Sequence, residues 1–281
     1  MRARGERGMI QLEIVRIGVG LALLAAYAPV TGRLPELYGS AGWISPEAVA
    51  ATYGGAWTWS PLDVLGAPRQ LLAWHALFLL ACGALAAGWR TSWVKWLAWA
   101  GHLSYMHRNP VITYGLDHVL AALLLLLCAA PVGRAWSLDR RRRGAAPAGA
   151  SLGQAACLTL VRLQVAVIFF FAGVEKLRGD SWWGGWAVWV ALANPEFANV
   201  PLAWFAQHLW VVNLMTYATL LVELAYPFLV WGRDTRPWVL GAALALTAGM
   251  GALLGLYLFS FVMIVGHLAF ARGAWLDRAA T

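Results

Sequence analysis

The chain has 281 residues, 61% of them hydrophobic and 12% charged, with 18 tryptophans and a formal net charge of +8. That balance lies far outside the range of a soluble globular domain and excludes one. The positive charge does not signal nucleic-acid binding, because the arginines gather at the ends of apolar runs, where they set membrane topology and lend some affinity for anionic lipid head groups.

The apolar stretches run to roughly 16 to 23 residues, long enough for helices across a hydrocarbon core of about 30 Å, and none alternates like a barrel strand. The predicted fold is therefore all-α: a polytopic membrane helix bundle of about eight transmembrane helices, multi-pass in the cell inner (plasma) membrane and forming one domain over 1–281. In chain order the predicted helices lie near 10–29, 69–88, 92–107, 111–130, 154–177, 210–232, 237–254 and 256–271. The opening "MRARGERG" precedes an apolar run longer than a signal peptide and without a small-residue cleavage site, so the first helix is read as retained.

Arginine placement orients the bundle, since short cytoplasmic segments carry excess Lys and Arg. Arg2, Arg4 and Arg7 precede the first helix. Arg90 follows the second, Arg134 and Arg140 to Arg143 the fourth, Arg233 and Arg236 the sixth, and Arg272 and Arg278 the eighth. This alternation predicts both termini in the cytoplasm and a flexible inner loop at "RRRRGAAPAGA". Outside lie two long segments, 30–68 and 178–209. Trp182, Trp183, Trp186 and Trp189 give the second the character of a helix lying at the outer interface. Cys82, Cys128 and Cys157 all fall in apolar runs without metal spacing and read as inert core thiols.

Ionisable groups inside membrane spans face the bundle interior, and their depth sorts them. Counting 1.5 Å per residue puts Glu13, Arg16, Arg162, Gln164 and Glu223 roughly 5 to 15 Å above the cytoplasmic boundary, as one structural polar layer in which Arg162 meets Glu223 or Glu13. The outer half collects His75, His102, His107, Arg108, Asn109, Tyr114, Asp117, His118 and Lys176. Five of the six histidines, with His208, fall on that side, which points to a polar pocket opening to the extracytoplasmic face. Lys95, near the inner end of its helix, is expected to snorkel. Lys176 has two readings: snorkelling to the outer interface, or a desolvated general base. Glu175 and Arg178, three apart, can pair and leave Lys176 without a local counter-ion. No ligand spacing supports a metal, although His75, His102 and His118 on separate helices leave a metal or haem site as a third option.

The stretch "RLQVAVIFFFAGVEKLRGDSWWGGWAV" (162–188) resembles the vitamin K-dependent γ-carboxylase superfamily, whose bacterial members are the horizontally transferred transmembrane (HTTM) domain proteins. "HRNPVITYGLDHVLAALLLLLCAAPVGRAWSLDR" (107–140) is similar to the RNP…G-D…S-L-D pattern of the stand-alone bacterial members. "EIVRIGVGL", "LYGSAGWISP", "VELAYPFLVW" and "GLYLFSFVM" extend the resemblance over nearly the whole chain.

In the carboxylase the second lysine of the matching A-G-V-K-K-L segment deprotonates the reduced vitamin, and that position is Lys176 here. The resemblance thus implies a catalytic lysine, a quinone or hydroquinone as cofactor, and chemistry on the outer side. Two carboxylase histidines fall on Pro110 and Thr247; His107 stands near the first, and the sequence offers nothing for the second. No counterpart of the carboxylase's large lumenal domain follows, so carboxylation of a protein glutamate is not expected. Two functions stay open. One is an accessory membrane component that helps mature or export a secreted peptide, like the sporulation-delaying-protein B relatives, with a small secreted or membrane-anchored partner. The other is a quinol-dependent enzyme with Lys176 as general base.

Overall fold

The structure, a computed structural model, describes residues 2–55, 59–144, 151–197 and 199–271, without the side chains of residues 2–8 and 143. Arg272 and Arg278 of the topology argument lie outside the described residues, as do the side chains of Arg2, Arg4, Arg7 and Arg143. Among the described residues there are helices and turns and no strand.

Among the described residues a helix falls on each predicted segment: α1 (Arg2–Tyr27), α2 (Pro68–Ala87), α3 (Thr91–Arg108), α4 (Gly115–Ala129), α5 (Leu152–Lys176), α6 (Leu209–Leu229), α7 (Arg236–Leu254) and α8 (Tyr257–Leu268). Five described stretches are long and apolar enough to cross a membrane: Met9–Tyr38, Pro68–Ala87, Leu152–Lys176, Leu209–Leu229 and Arg236–Leu254. α4 and α8 are shorter, and α3 carries buried Lys95, His102 and Arg108 along its length. The protein is an all-helical, polytopic membrane bundle. Its packing divides into two compact units, one within residues 1–159 and one of Leu160–Ala271, and α5 runs from the first into the second.

The first unit is built around α1, whose Leu12, Val15, Val19, Ala22 and Leu23 are buried. Gly20 lets α1 approach α2 closely, since a Cβ there would stand 2.9 Å from that of Ala86. Glu13 and Arg16, both fully buried, tie three segments together. Arg16 donates to the Leu85 carbonyl, to Ala86 O at 2.8 Å and to Trp136 O at 2.9 Å, capping the orphan carbonyls at the end of α2. Glu13 accepts from the N–H groups of Gly133 (2.7 Å) and Arg134 (2.8 Å), which would otherwise be buried donors without partners.

Two expectations for this unit are corrected. Lys95 does not snorkel: it is buried and donates to Ala130 O at 2.6 Å, satisfying the carbonyl where α4 ends. Nor is the arginine run loop from its start, because Leu138–Arg143 is a short helix. Ser137 caps it by accepting from Arg140 N at 3.0 Å, and Asp139 caps α3 from outside that helix, accepting from the N–H groups of Arg90 (2.8 Å) and Thr91 (2.9 Å).

In the second unit α6, α7 and α8 pack in sequence around Tyr226, Val239, Ala243, Met263 and His267. Gly173 of α5 sits on the backbone of α6: a Cβ there would lie 3.2 Å from Leu224 N and 2.9 Å from Leu224 Cδ2. Residue 173 is thus level with residue 224, and about ten of the first residues of α6 rise past the end of α5. The intervening segment covers them. It is not one interfacial helix, because the chain breaks at Gly184 and Gly185 between helices Asp180–Trp183 and Ala187–Ala193. Gly185 adopts φ +79, and its carbonyl accepts from Asn213 Nδ2 at 2.7 Å, while Tyr217 donates to Trp183 O at 2.9 Å.

Candidate functional site

Each unit holds part of the predicted site. In the first, α3 and the turn after it bring His107, Arg108 and Asn109 against the segment that follows α1. Arg108 is fully buried; its Nη2 donates to the carbonyls of Gly39 and Ile44, the latter at 3.0 Å, and its Nε stands 3.9 Å from Asp63 Oδ1. Asn109 Nδ2 donates to Leu37 O at 2.8 Å, and His107 Nδ1 donates to Trp59 O at 3.1 Å. Ser60 completes the seam by donating to Ser104 O at 2.7 Å. These contacts fasten Leu37, Gly39, Ile44 and residues 59–63 to the end of α3. Three buried atoms in this seam, Arg108 Nε and Nη1 and Asn109 Oδ1, have no hydrogen-bond partner among the described residues.

Asp117 is half-buried at the start of α4. Its carboxylate accepts from Tyr114 N at 3.0 Å, closing the first turn of α4, and its carbonyl receives His102 Nε2 at 2.9 Å. His118 is exposed and lies 3.1 Å from Tyr114 O. Partial burial, and then the neighbouring Asp117 carboxylate, push the Tyr114 phenol above its usual range.

The buried histidines follow one rule. Tyr27 donates to His102 Nδ1 (2.9 Å), Tyr105 to His75 Nδ1 (2.9 Å) and Tyr226 to His267 Nδ1 (3.0 Å). The opposite nitrogen of each ring faces a group that can only accept. For His102 it is the Asp117 carbonyl. For His75 and His267 it is the hydroxyl of Thr31 (3.1 Å) or Thr247 (3.5 Å), whose single proton already goes to Ala28 O or Ala243 O. This pattern of partners fits the neutral Nε2–H tautomer for each imidazole, with Nδ1 accepting from a phenol. Both ring nitrogens of His75 and of His102 lie against groups of the protein itself, and among the described residues no three His, Cys, Asp or Glu side chains converge.

In the second unit Lys176 closes α5. Its Nζ lies 2.9 Å from Glu223 Oε2, 3.4 Å from Ala172 O and 5.2 Å above the Trp182 ring. The side chains are 24% and 7% exposed, so this is a largely buried ion pair. Glu175 and Arg178 pair at 2.9 Å on the exposed side, as their spacing predicts.

The partition into an inner structural layer and an outer site is corrected here, because Glu223, counted into the inner layer, is the partner of the outer Lys176. Glu13 is held by Arg16 within the first unit, Arg162 donates to Ala269 O at 2.7 Å at the end of α8, and Gln164 is half-buried. The depth count assumed that α5 and α6 end level, and the stagger at Gly173 breaks that assumption.

Sequence reasoning missed His267. It lies on α8 beside Thr247, the position where the resemblance left a gap, with Tyr226 on its other nitrogen and Phe169 stacked on Tyr226 at 4.3 Å. The signal available was that His267 alone among the six histidines fell outside the outer set. No curated protein and no solved structure matches the chain. The HTTM domain family model matches residues 11–275, through α1 to α8 and both units. With the motifs of α3, α4 and α5 already pointing the same way, that span establishes the chain as a member of the HTTM domain family of multi-pass membrane proteins.

Proposed function

We propose that this HTTM protein is a non-catalytic accessory component of the inner membrane, with both termini cytoplasmic, acting in maturation or export of a small secreted or membrane-anchored partner, as in the sporulation-delaying-protein B-like reading. The observation that carries it is the Lys176–Glu223 pair at 2.9 Å. An ammonium paired with a carboxylate has no lone pair with which to take a proton from a substrate. The polar groups of the first unit support the same reading: His75, His102, Asn109 and Asp117 hold the protein's own backbone and phenols rather than converging on one reacting atom. A quinone-like lipid is then a bound companion rather than a substrate.

The second reading, a quinol-dependent enzyme with Lys176 as base, is favoured by one contact. His267 stands 3.5 Å from Thr247, in the same unit as Lys176, and so supplies an imidazole where the resemblance expects one.

Affinity purification of the full chain from native membranes in mild detergent separates the two. The accessory reading expects a stoichiometric small partner, retained in Lys176→Arg because the guanidinium keeps the pair with Glu223. A stoichiometric naphthoquinone with no such partner would overturn it.

A further inference from the structure

The end of the first unit that carries Arg90 and Arg142 combines backbone strain, aromatic surface and, among the described residues, cations without an ion pair. Among the described residues only two non-glycine residues have positive φ, Arg90 at 47° and Trp136 at 43°, and both lie here. That region of the backbone ordinarily takes glycine, and a larger residue persists in it only where its surroundings fix it. They do so at both positions. Asp139 accepts from Arg90 N at 2.8 Å and gives its own N–H to Gly88 O at 2.9 Å, and Arg16 holds Trp136 O at 2.9 Å.

Neither strained side chain is used inside the fold. Arg90 is exposed, and Trp136 is 45% exposed. Trp89, next in sequence to Arg90, carries two cations: Arg90 Cζ stands 5.3 Å from its ring and Arg142 Cζ 6.0 Å from the same ring. Two guanidiniums gathered on one indole repel each other. The adjacent acid, Asp139, is buried and engaged with Arg90 N, Thr91 N and Thr91 Oγ1, and neither arginine makes an ion pair among the described residues. In the first turns of α3, which starts right after Arg90, Trp93 is 79% exposed and Trp96 47% exposed, three apart and so on one face of the helix.

We propose that this surface is a binding site for one anionic phospholipid, its phosphate held between Arg90 and Arg142 over Trp89 and an acyl chain lying along Trp93 and Trp96. The site takes a lipid rather than a soluble phosphate because Trp93 and Trp96 give affinity only to a molecule with an apolar tail. It is more specific than a general attraction of basic loops to acidic membranes, because the backbone at Arg90 and the Trp89 ring fix where the two charges sit.

The test is native mass spectrometry of the purified full chain, titrated with dioleoylphosphatidylglycerol, with dioleoylphosphatidylcholine, and with phosphatidylglycerol in the presence of inorganic phosphate. One tight phosphatidylglycerol adduct is expected, phosphatidylcholine binding far more weakly and phosphate failing to compete. The pair Arg90→Gln/Arg142→Gln should weaken that adduct roughly 30-fold, about fivefold per arginine. Trp89→Leu should weaken it with no change in net charge. The charge-matched pair Arg140→Gln/Arg141→Gln should leave it largely intact. Arg142→Gln alone, an exposed position, keeps the test valid if the variants at Arg90 fold poorly. Equal losses in the two charge-matched pairs would reduce the site to diffuse attraction and overturn the proposal. So would equal affinity for phosphatidylcholine, or displacement by phosphate alone.

Discussion

Removing the Arg16 guanidinium leaves Glu13 as a buried carboxylate without its cation, and the carbonyls of Leu85, Ala86 and Trp136 without that donor. Breaking a buried pair from one side typically costs about 3 to 5 kcal/mol. Arg16→Ala is therefore expected to lower the folded yield in detergent more than any other single charge removal, read by size-exclusion profile and thermal melt. A wild-type melt would contradict the role given to this hub. Lys176 and Glu223 make a milder case because the lysine is partly exposed. Lys176→Met and Glu223→Leu should each destabilise, and the double variant should recover much of the loss, since no unpaired charge then remains. Additive losses in that cycle would show the two groups to be uncoupled. The residue scale is also where the sequence is least legible. That Glu13 and Arg16 are structural follows from their depth in an apolar helix, but that Glu13 binds the N–H groups of Gly133 and Arg134 does not, because the partners are backbone more than a hundred positions away.

At the scale of elements, glycine separates close helix contacts from open helix faces. Gly173→Leu forces a side chain into Leu224 and should cost about 1 to 3 kcal/mol by overpacking, with a lower melting temperature. Gly241→Ala, where a Cβ meets nothing within 4 Å, should be neutral or raise stability by about 0.5 to 1 kcal/mol. Equal effects at the two positions would contradict the packing of α5 on α6. Helix positions were readable because apolar runs bounded by Arg, Gly and Pro have few other ways to satisfy their backbone in lipid. The cap on α3 was not, since Asp139 reaches it from another helix. The same holds for the stagger of α5 and α6: equal-length apolar runs suggest level ends, and only the Gly173 contact shows that they are offset. That offset is why the Lys176–Glu223 pair was invisible to a depth count.

For the whole molecule, the alternation of arginine-rich ends predicts that a reporter at Arg140 reads cytoplasmic and one at Trp183 extracytoplasmic; the reverse result would invert the proposed topology. The site reading turns on Lys176 itself. In one arrangement it is a structural cation held by Glu223 and capped by Trp182, and in the other a base that must leave that pair to act. Lys176→Arg distinguishes them, since a guanidinium keeps the pair and can hardly be deprotonated. The decisive measurement is naphthoquinol-dependent oxygen uptake by the purified full chain in liposomes, wild type beside Lys176→Arg, with both melts recorded. The accessory account predicts no uptake above the lipid background in either protein. Uptake by the wild type that disappears in Lys176→Arg while the melts coincide would contradict it and make Lys176 a catalytic base.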